Sequence, residues 1–202
     1  MRRSCLSRWV VTATMILSAF AVASGEEAAF RIVPERSEVA FEATYPLGDF
    51  TGTTKDVKGE FRVDPADLAR PVTGRLEVNP GSLDTGIAGR DQDLREHLEV
   101  KRFPAIVFVP KEVRAGQASL PDRGEIPVTI SGLMTIHGVE RPVEFSGKAR
   151  LQEGGLRVEG VTALKMSDYG ITRPTKLFFR VGDEVKVRFR VEAANPILGP
   201  LP

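Results

Sequence analysis

The two histidines, His97 and His137, are the residues that most readily suggest chemistry in this sequence. A general base needs an orienting partner, and a metal site needs three or four converging ligands. Neither histidine lies in a His-x-His or His-x-x-x-His spacing, so the sequence does not favour a metal site. In the segment TIHGVE, His137 and Gly138 can occupy the centre of a tight hairpin that requires positive φ at both positions. We therefore expect His137 to be a turn residue and His97 to be an exposed helix residue.

Other catalytic motifs are poorly supported. The sequence holds one Asp-Thr-Gly, beginning at Asp84, but an aspartic protease needs two carboxylates that share a site. No Gly-x-Ser-x-Gly, P-loop or dinucleotide-binding pattern is found. Arg90 and Asp91 follow in the same segment, DTGIAGRD. We favour a structural role, in which they tie this loop to a helix start, over a role for Arg90 in binding a polar headgroup at a cavity mouth.

The elements that would position these residues are mainly strands. From Phe30 onward, apolar and polar residues alternate with a period of two, which is typical of strands with one apolar face. Eight or nine strands in one small domain predict a sandwich or a closed barrel. The strand candidates are 29–33, 37–44, 57–63, 74–80, 104–114, 126–136, 139–151, 156–166 and 185–193.

One segment, 89–104, interrupts the alternation. Leu94 and Leu98 are spaced by four, which predicts one face of a helix. Asp91 or Asp93 suits the helix N-terminus, and Pro104 ends the segment.

The strand after this helix has apolar residues at both its odd and its even positions, so both of its faces should be covered. We expect the helix to cover the outer face. Parity along the strands then predicts which side chains face the interior. The predicted interior residues are Phe41, Phe61, Ile106, Phe108, Ile130, Ile136, Phe145, Leu164, Val187 and Phe189.

The N-terminal residues have the three-part form of a secretory signal. MRRSCLSRW is cationic, VVTATMILSAFAVA is apolar, and Ala21 and Ala23 form an A-x-A cleavage pattern. The apolar run is about fifteen residues, shorter than the roughly twenty that a bilayer span needs. We therefore predict a cleaved signal peptide over 1–23, with a retained anchor as the alternative. The segment RRSCL also suits a twin-arginine signal, so both export routes remain open.

Cleavage would change the charge and the cysteine content. Lys+Arg would fall from 28 to 25 against 27 Asp+Glu, because Arg2, Arg3 and Arg8 leave with the signal, and the net charge would become −2. This balance gives no electrostatic footprint for nucleic acid and no polybasic patch for anionic lipid. Cys5, the one cysteine, would also leave, so the mature domain, 24–202, would have no disulfide.

Several motifs together resemble the YceI-like family. GLMTIHGVERPVEF, at 132–145, is similar to the family's strand-turn-strand segment. LDTGIAGRDQDLREHLEVKRFPAIVF and MSDYGI match further family motifs in the same order. Weaker matches at RSEVAF and VKGEFRVDP extend the likeness over nearly the whole predicted mature chain.

This resemblance implies an all-β fold, an extended lipocalin-like antiparallel barrel with one short helical segment. It also implies a periplasmic protein that encloses a long isoprenoid lipid, of quinone or polyprenyl type, without catalysis or a bound cofactor. Two alternatives remain open: a secreted enzyme that uses the same cavity with His137 as base, and a stress-related interaction module without a ligand. A dimer is possible. Candidate headgroup residues at the mouth are Arg90, Asp91, His137, Asp168 and Tyr169.

Overall fold

Ten antiparallel strands form one sheet that closes on itself, and a two-stranded ribbon stands apart from it. The computed structural model describes residues 27–176 and 179–196, with the side chains of 176 and 179 excepted. The predicted signal segment lies outside the described residues. The strands and the helix are β1 (Ala28–Ile32), β2 (Glu38–Ala43), β3 (Phe50–Thr54), β4 (Val57–Val63), β5 (Thr73–Val78), α1 (Ala88–His97), β6 (Ile106–Ala115), β7 (Ile126–Ile136), β8 (Val139–Gln152), β9 (Gly155–Lys165), β10 (Thr175–Lys176), β11 (Phe179–Arg180) and β12 (Glu184–Ala194).

The sheet closes through β12. Within the sheet, adjacent strands follow the order β1, β4, β5, β6, β7, β8, β9 and β12. Because β12 also pairs with β1, these eight strands form a closed ring. A short 3-10 turn at Pro34–Arg36 separates β1 from β2. Because of this break, β12 pairs with β1 near Ala194 and with β2 from Val185 to Arg190. The predicted all-β antiparallel barrel is confirmed.

All nine strand candidates form strands, but three further strands were not predicted: β3, β10 and β11. The sequence of β3, FTGTT, has one large apolar residue, Phe50, and a glycine at its centre. It therefore carries no apolar alternation. Its strand conformation comes from pairing with β2, from Val39 opposite Thr54 to Ala43 opposite Phe50.

The helix starts earlier than expected. It begins at Ala88, and neither Asp91 nor Asp93 caps it; Ile87 precedes the first turn and makes no side-chain cap. We expected α1 to cover the outer face of β6. That placement stays a prediction; Leu98, which directly follows α1, packs against the same interior cluster as Phe108.

Packed loops close one end of the barrel. Leu68 and Val72, between β4 and β5, are buried together with Leu120, between β6 and β7. The two loops are joined by hydrogen bonds from Leu68 N to Ala118 O (2.7 Å) and from Leu120 N to Pro65 O (2.8 Å). We call this the closed end. At the opposite end lie the β2–β3 hairpin loop (44–49), α1, the β7–β8 turn and the 3-10 helix at Met166–Tyr169, and we call it the open end.

Candidate functional site

The barrel encloses a cavity of about 200 Å³. Each lining residue is Val, Leu, Ile, Phe, Met, Ala or Pro, so no polar side chain faces the cavity within the described part of the chain. For scale, an engineered apolar cavity of about 150 Å³ stays dry and binds benzene. The cavity is therefore large enough to hold part of an apolar ligand, and its walls favour apolar carbon.

All ten side chains predicted to face the interior line this cavity. Their role in lipid binding stays a prediction. Phe61 and Phe145 are buried, whereas the other eight keep some accessible surface although they face inward. These eight are Phe41, Ile106, Phe108, Ile130, Ile136, Leu164, Val187 and Phe189.

The cavity is long. On β7 its lining runs from Val128 to Ile136, a span of about 26 Å along the strand at about 3.3 Å per residue. Barrel strands tilt by about 40°, so this corresponds to roughly 20 Å along the barrel axis. A long and narrow apolar cavity suits an extended chain better than a compact ring system.

Two glycines let aromatic rings form one wall. Phe145 contacts Phe108 and Phe189 edge to face, with ring centroids 5.4 and 5.1 Å apart. The ring of Phe108 lies over Gly132 and the ring of Phe189 over Gly160, so close that an added Cβ would come within 2.6 and 2.5 Å of these rings. Any larger residue at either glycine would therefore push a ring into the cavity.

Sequence reasoning missed the lining residues that loops contribute. Leu68, Val72 and Leu120 line the cavity from the two loops of the closed end, and Leu83 lines it from the segment before α1. Strand parity gives the direction of a side chain within a strand only. The sequence shows only that these residues are isolated apolar residues in otherwise polar loop segments. This does not indicate whether their side chains point into the barrel.

On one side of the open end, Arg90 lies over the ring of Phe50 with its guanidinium carbon 4.5 Å from the ring centroid. Phe50 in turn contacts Phe41, a lining residue, edge to face at 6.0 Å. Asp91 accepts hydrogen bonds from the backbone N–H (2.9 Å) and the hydroxyl (2.6 Å) of Thr85. These bonds hold the pKa of Asp91 below its usual value. Asp91 thus fixes the loop before α1, as the structural interpretation expected.

On the other side, His137 occupies the β7–β8 turn with φ 52°, followed by Gly138 with φ 77°. Ile136 pairs with Val139 across this turn, so the predicted tight hairpin is confirmed. Nδ1 of His137 lies 3.3 Å from the carbonyl oxygen of Tyr169. Nε2 lies 3.1 Å from Oε1 of Glu99, without the alignment of a hydrogen bond.

The ring of His137 packs at 4.6 Å from the ring of Phe103 and is not among the cavity-lining residues. The other histidine, His97, is half-buried at the end of α1 and not exposed as we expected, and its Nδ1 lies 2.8 Å from the carbonyl oxygen of Asp93.

The remaining headgroup candidates differ from one another. Tyr169 is 3% exposed and packs against the interior cluster, and this burial raises its pKa. Asp168 is exposed, and its backbone carbonyl accepts a hydrogen bond from Nε of Arg141 at 3.2 Å. All five headgroup candidates lie at the open end, in two groups, and none of them lines the cavity. Their contact with a headgroup stays a prediction.

The described residues contain no group of three or more His, Cys, Asp and Glu side chains placed to hold a metal ion. They also contain no helix with the length and apolar character that a membrane crossing requires.

A closed antiparallel barrel with a long apolar cavity defines the class of lipocalin-like proteins. Within this class, the chain belongs to the YceI family: the model of the YceI-like domain matches residues 30–193. A UPF0312 protein of Ectopseudomonas mendocina (strain ymp) is 33% identical over 132 residues, which is 60% of this chain and 64% of that protein. The match therefore spans less than two thirds of the relative's own length.

Solved structures share the fold. BcnA of Burkholderia cenocepacia has a TM-score of 0.66 at 19% identity, over 81% of this chain and 99% of that one. A polyisoprenoid-binding domain from Saccharophagus degradans, described as implicated in plant cell wall breakdown, has a TM-score of 0.65 at 16% identity, over 85% and 100%. At these identities the likeness establishes the fold alone.

Proposed function

We propose that this protein binds a long-chain isoprenoid lipid, of quinone or polyprenyl type, in its barrel cavity and carries it without covalent chemistry. The observation that carries the proposal is the cavity itself: it is long, and every side chain that lines it is apolar. An apolar chain withdrawn from water gains about 0.8 kcal/mol per buried CH₂ group, before entropy costs. A multi-isoprene tail could thus bind tightly with no polar contact.

The comparisons support the same class of ligand. The Saccharophagus degradans neighbour is named for polyisoprenoid binding, and the two chains share a fold over 85% of this chain and 100% of that one. The family match covers the barrel from Phe30 to Ala193. These likenesses favour a binding protein over an enzyme, and the cavity supplies the physical reason.

The enzyme alternative depends on His137, whose position does not favour it. Its ring lies between Glu99, Phe103 and the Tyr169 carbonyl, and it is not part of the cavity wall. A general base must come within about 3 Å of the proton that it abstracts. Turnover of an apolar substrate that disappears in His137→Gln, with lipid content unchanged, would restore the enzyme hypothesis.

We also propose that the protein acts in the periplasm after cleavage near Ser24 or Glu26. This rests on the cationic, apolar and small-residue order of residues 1–23. N-terminal sequencing of the protein from a periplasmic fraction tests it, and an intact Met1 in a membrane fraction would overturn it.

The direct test of the ligand is organic extraction and mass spectrometry of the mature protein purified from its native periplasm. We expect an isoprenoid lipid at a substantial fraction of one molecule per protein. Val187→Phe, which places a ring in the cavity, should reduce that fraction severalfold. The matched control is Val161→Phe on the neighbouring strand β9, at a position of outward parity. No lipid in any sample, together with a dry and tightly packed interior, would leave the interaction-module alternative.

A further inference from the structure

Two large hydrophobic side chains are strongly exposed among those that the structure describes: Leu47 is 67% exposed and Ile87 is 52% exposed. Single exposed hydrophobics are normal on protein surfaces. These two, however, both lie at the open end, Leu47 in the β2–β3 hairpin loop and Ile87 immediately before α1. We call this pair the apolar rim.

The two rim residues flank one contact. Leu47 precedes Phe50 by three residues, and Ile87 precedes Arg90 by three. The Arg90 guanidinium lies over the Phe50 ring at 4.5 Å. Three residues reach at most about 11 Å, so both rim residues lie within that distance of the contact along their own chain segments. Reciprocal backbone hydrogen bonds of 2.9 Å between Thr53 and Asp84 hold the segments together.

The rim is also continuous with the cavity. Phe50 contacts Phe41 edge to face, and Phe41 lines the cavity. A path of apolar groups therefore leads from the surface, past Phe50, to the interior. At the other end, the loop residues Leu68 and Leu120 are buried, and hydrogen bonds join their two loops.

We propose that Leu47 and Ile87 insert into a lipid bilayer, so that the open end faces the membrane when the ligand enters or leaves. This rests on the proposed function, because a ligand of apolar carbon is held in membranes and not in water. Two aliphatic side chains offer too little area for a stable protein interface, which buries more than about 1,000 Å². They suit a weak, reversible contact with a bilayer, which a carrier needs in order to leave again.

The charged residues near the rim indicate whether its attraction to a bilayer is electrostatic or apolar. The two rim loops carry Asp49 and Asp84, whose side chains accept hydrogen bonds from their own loops, at Tyr45 N and Gly86 N. Arg90 is engaged with Phe50. Because the two rim loops, 44–49 and 84–87, contain no Lys or Arg, binding should be apolar and nearly independent of salt, in contrast to electrostatic membrane binding.

The first test is flotation of ligand-free mature protein with phosphatidylcholine vesicles at low and high salt. We expect Leu47→Ser combined with Ile87→Ser to weaken vesicle binding about tenfold, with each single change giving part of the loss. Both side chains lie on the surface and away from the core, so thermal melts should be nearly unchanged. The matched control places a leucine at the closed end instead of the open end. It combines Leu47→Ser with Ala118→Leu, where residue 118 is exposed, and it should not restore vesicle binding.

The second test measures transfer of dansyl-labelled geranylgeraniol from loaded protein to acceptor vesicles. The rate should rise with vesicle concentration for the parent protein and become slow and independent of it for the double variant. Probe affinity without vesicles should be equal in both. A parent protein that does not float, or a double variant that floats and transfers normally, overturns the proposal.

The remaining outcomes separate this proposal from the function on which it rests. A parent protein that floats but does not bind the probe contradicts the proposed function and leaves the bilayer contact in place. If sedimentation shows a parent dimer that the double variant dissociates, the rim is an interface between two copies and membrane docking is wrong.

Discussion

The two ends of the barrel are built from the same strands but differ in what covers them. At the closed end, Phe30 stacks on Phe61 at 5.6 Å, and loop residues such as Leu68 and Leu120 are buried with them. At the open end, residues of the same chemical type, such as Phe108 and Phe189, keep accessible surface although they face inward. Residues of both ends line the cavity, but the closed end is covered by packed loops, whereas inward-facing rings at the open end keep accessible surface.

The difference shows that apolar strand faces alone do not determine how the end of a barrel is covered. The loop between β4 and β5 and the loop between β6 and β7 hydrogen-bond to each other and place aliphatic side chains inside. At the open end, Arg90 of α1 contacts Phe50, and Phe103, which follows α1, contacts His137. One end is therefore closed by packed loops, and we expect a ligand to enter at the other.

The largest expected contrast comes from removing one ring at each end. Phe30→Ala should lower the free energy of unfolding by about 3–5 kcal/mol, because Phe30 is 1% exposed and fully packed. Phe108→Ala should cost less than about 2 kcal/mol, because the ring already lacks neighbours on its cavity side. Urea unfolding of delipidated protein measures both. Equal losses would contradict the distinction between the two ends.

Enlarging side chains tests the same distinction in the opposite direction. Ala193 is fully buried at the closed end, so Ala193→Leu should cost about 1–3 kcal/mol through strain. Val187→Phe and Phe108→Trp at the open end should cost little in delipidated protein and should reduce bound lipid. Thermal melts and lipid-to-protein ratios measure these effects. A large destabilisation by both open-end changes, with no lipid recovered from the parent, would remove the carrier hypothesis.

Substitutions of His137 in the β7–β8 turn at the open end should have a smaller effect on stability. His137 has φ 52°, which asparagine accepts, so His137→Asn should leave folding and ligand content nearly unchanged. His137→Val should cost about 1–3 kcal/mol, because a β-branched residue is strained at positive φ. Thermal melts distinguish them. If His137→Asn abolished activity or ligand content in a stable protein, a chemical role for this histidine would replace the turn role.

The smallest expected effect is a response of the open end to acid. Hydrogen bonds from Ser167 lower the pKa of Asp183, and hydrogen bonds from Thr85 lower that of Asp91. Since both pKa values are lowered on folding, the stabilisation is present above the ordinary carboxylate range and is lost as pH falls through the lowered values.

The protection of amides near the start of α1 and near Ser167 from hydrogen exchange, relative to the intrinsic exchange rate at each pH, should therefore decrease at acid pH. Asp91→Asn should remove the pH response at α1 alone and leave the response near Ser167. An unchanged response in this variant would assign the effect to other carboxylates.

Much of the fold could be predicted from the sequence, and the exceptions have identifiable causes. Alternation along β12 places Val187 and Phe189 on the inner face, and they line the cavity. Strand β3 has no such alternation and forms only because β2 offers it an edge. The helix start was misplaced because Asp91, a good capping residue, bonds instead to Thr85 in the preceding loop.

The sequence by itself determined the direction of each strand residue, the hairpin turn at His137 and the family, because these depend on local spacing and residue type. Only the tertiary structure decided which end is covered by packed loops, which loop side chains line the cavity and that Leu47 and Ile87 lie at one rim. Those properties depend on how loops distant in sequence fold over the barrel ends. A loop side chain has no fixed periodicity, so its direction is set by the packing and hydrogen bonds that it finds in three dimensions.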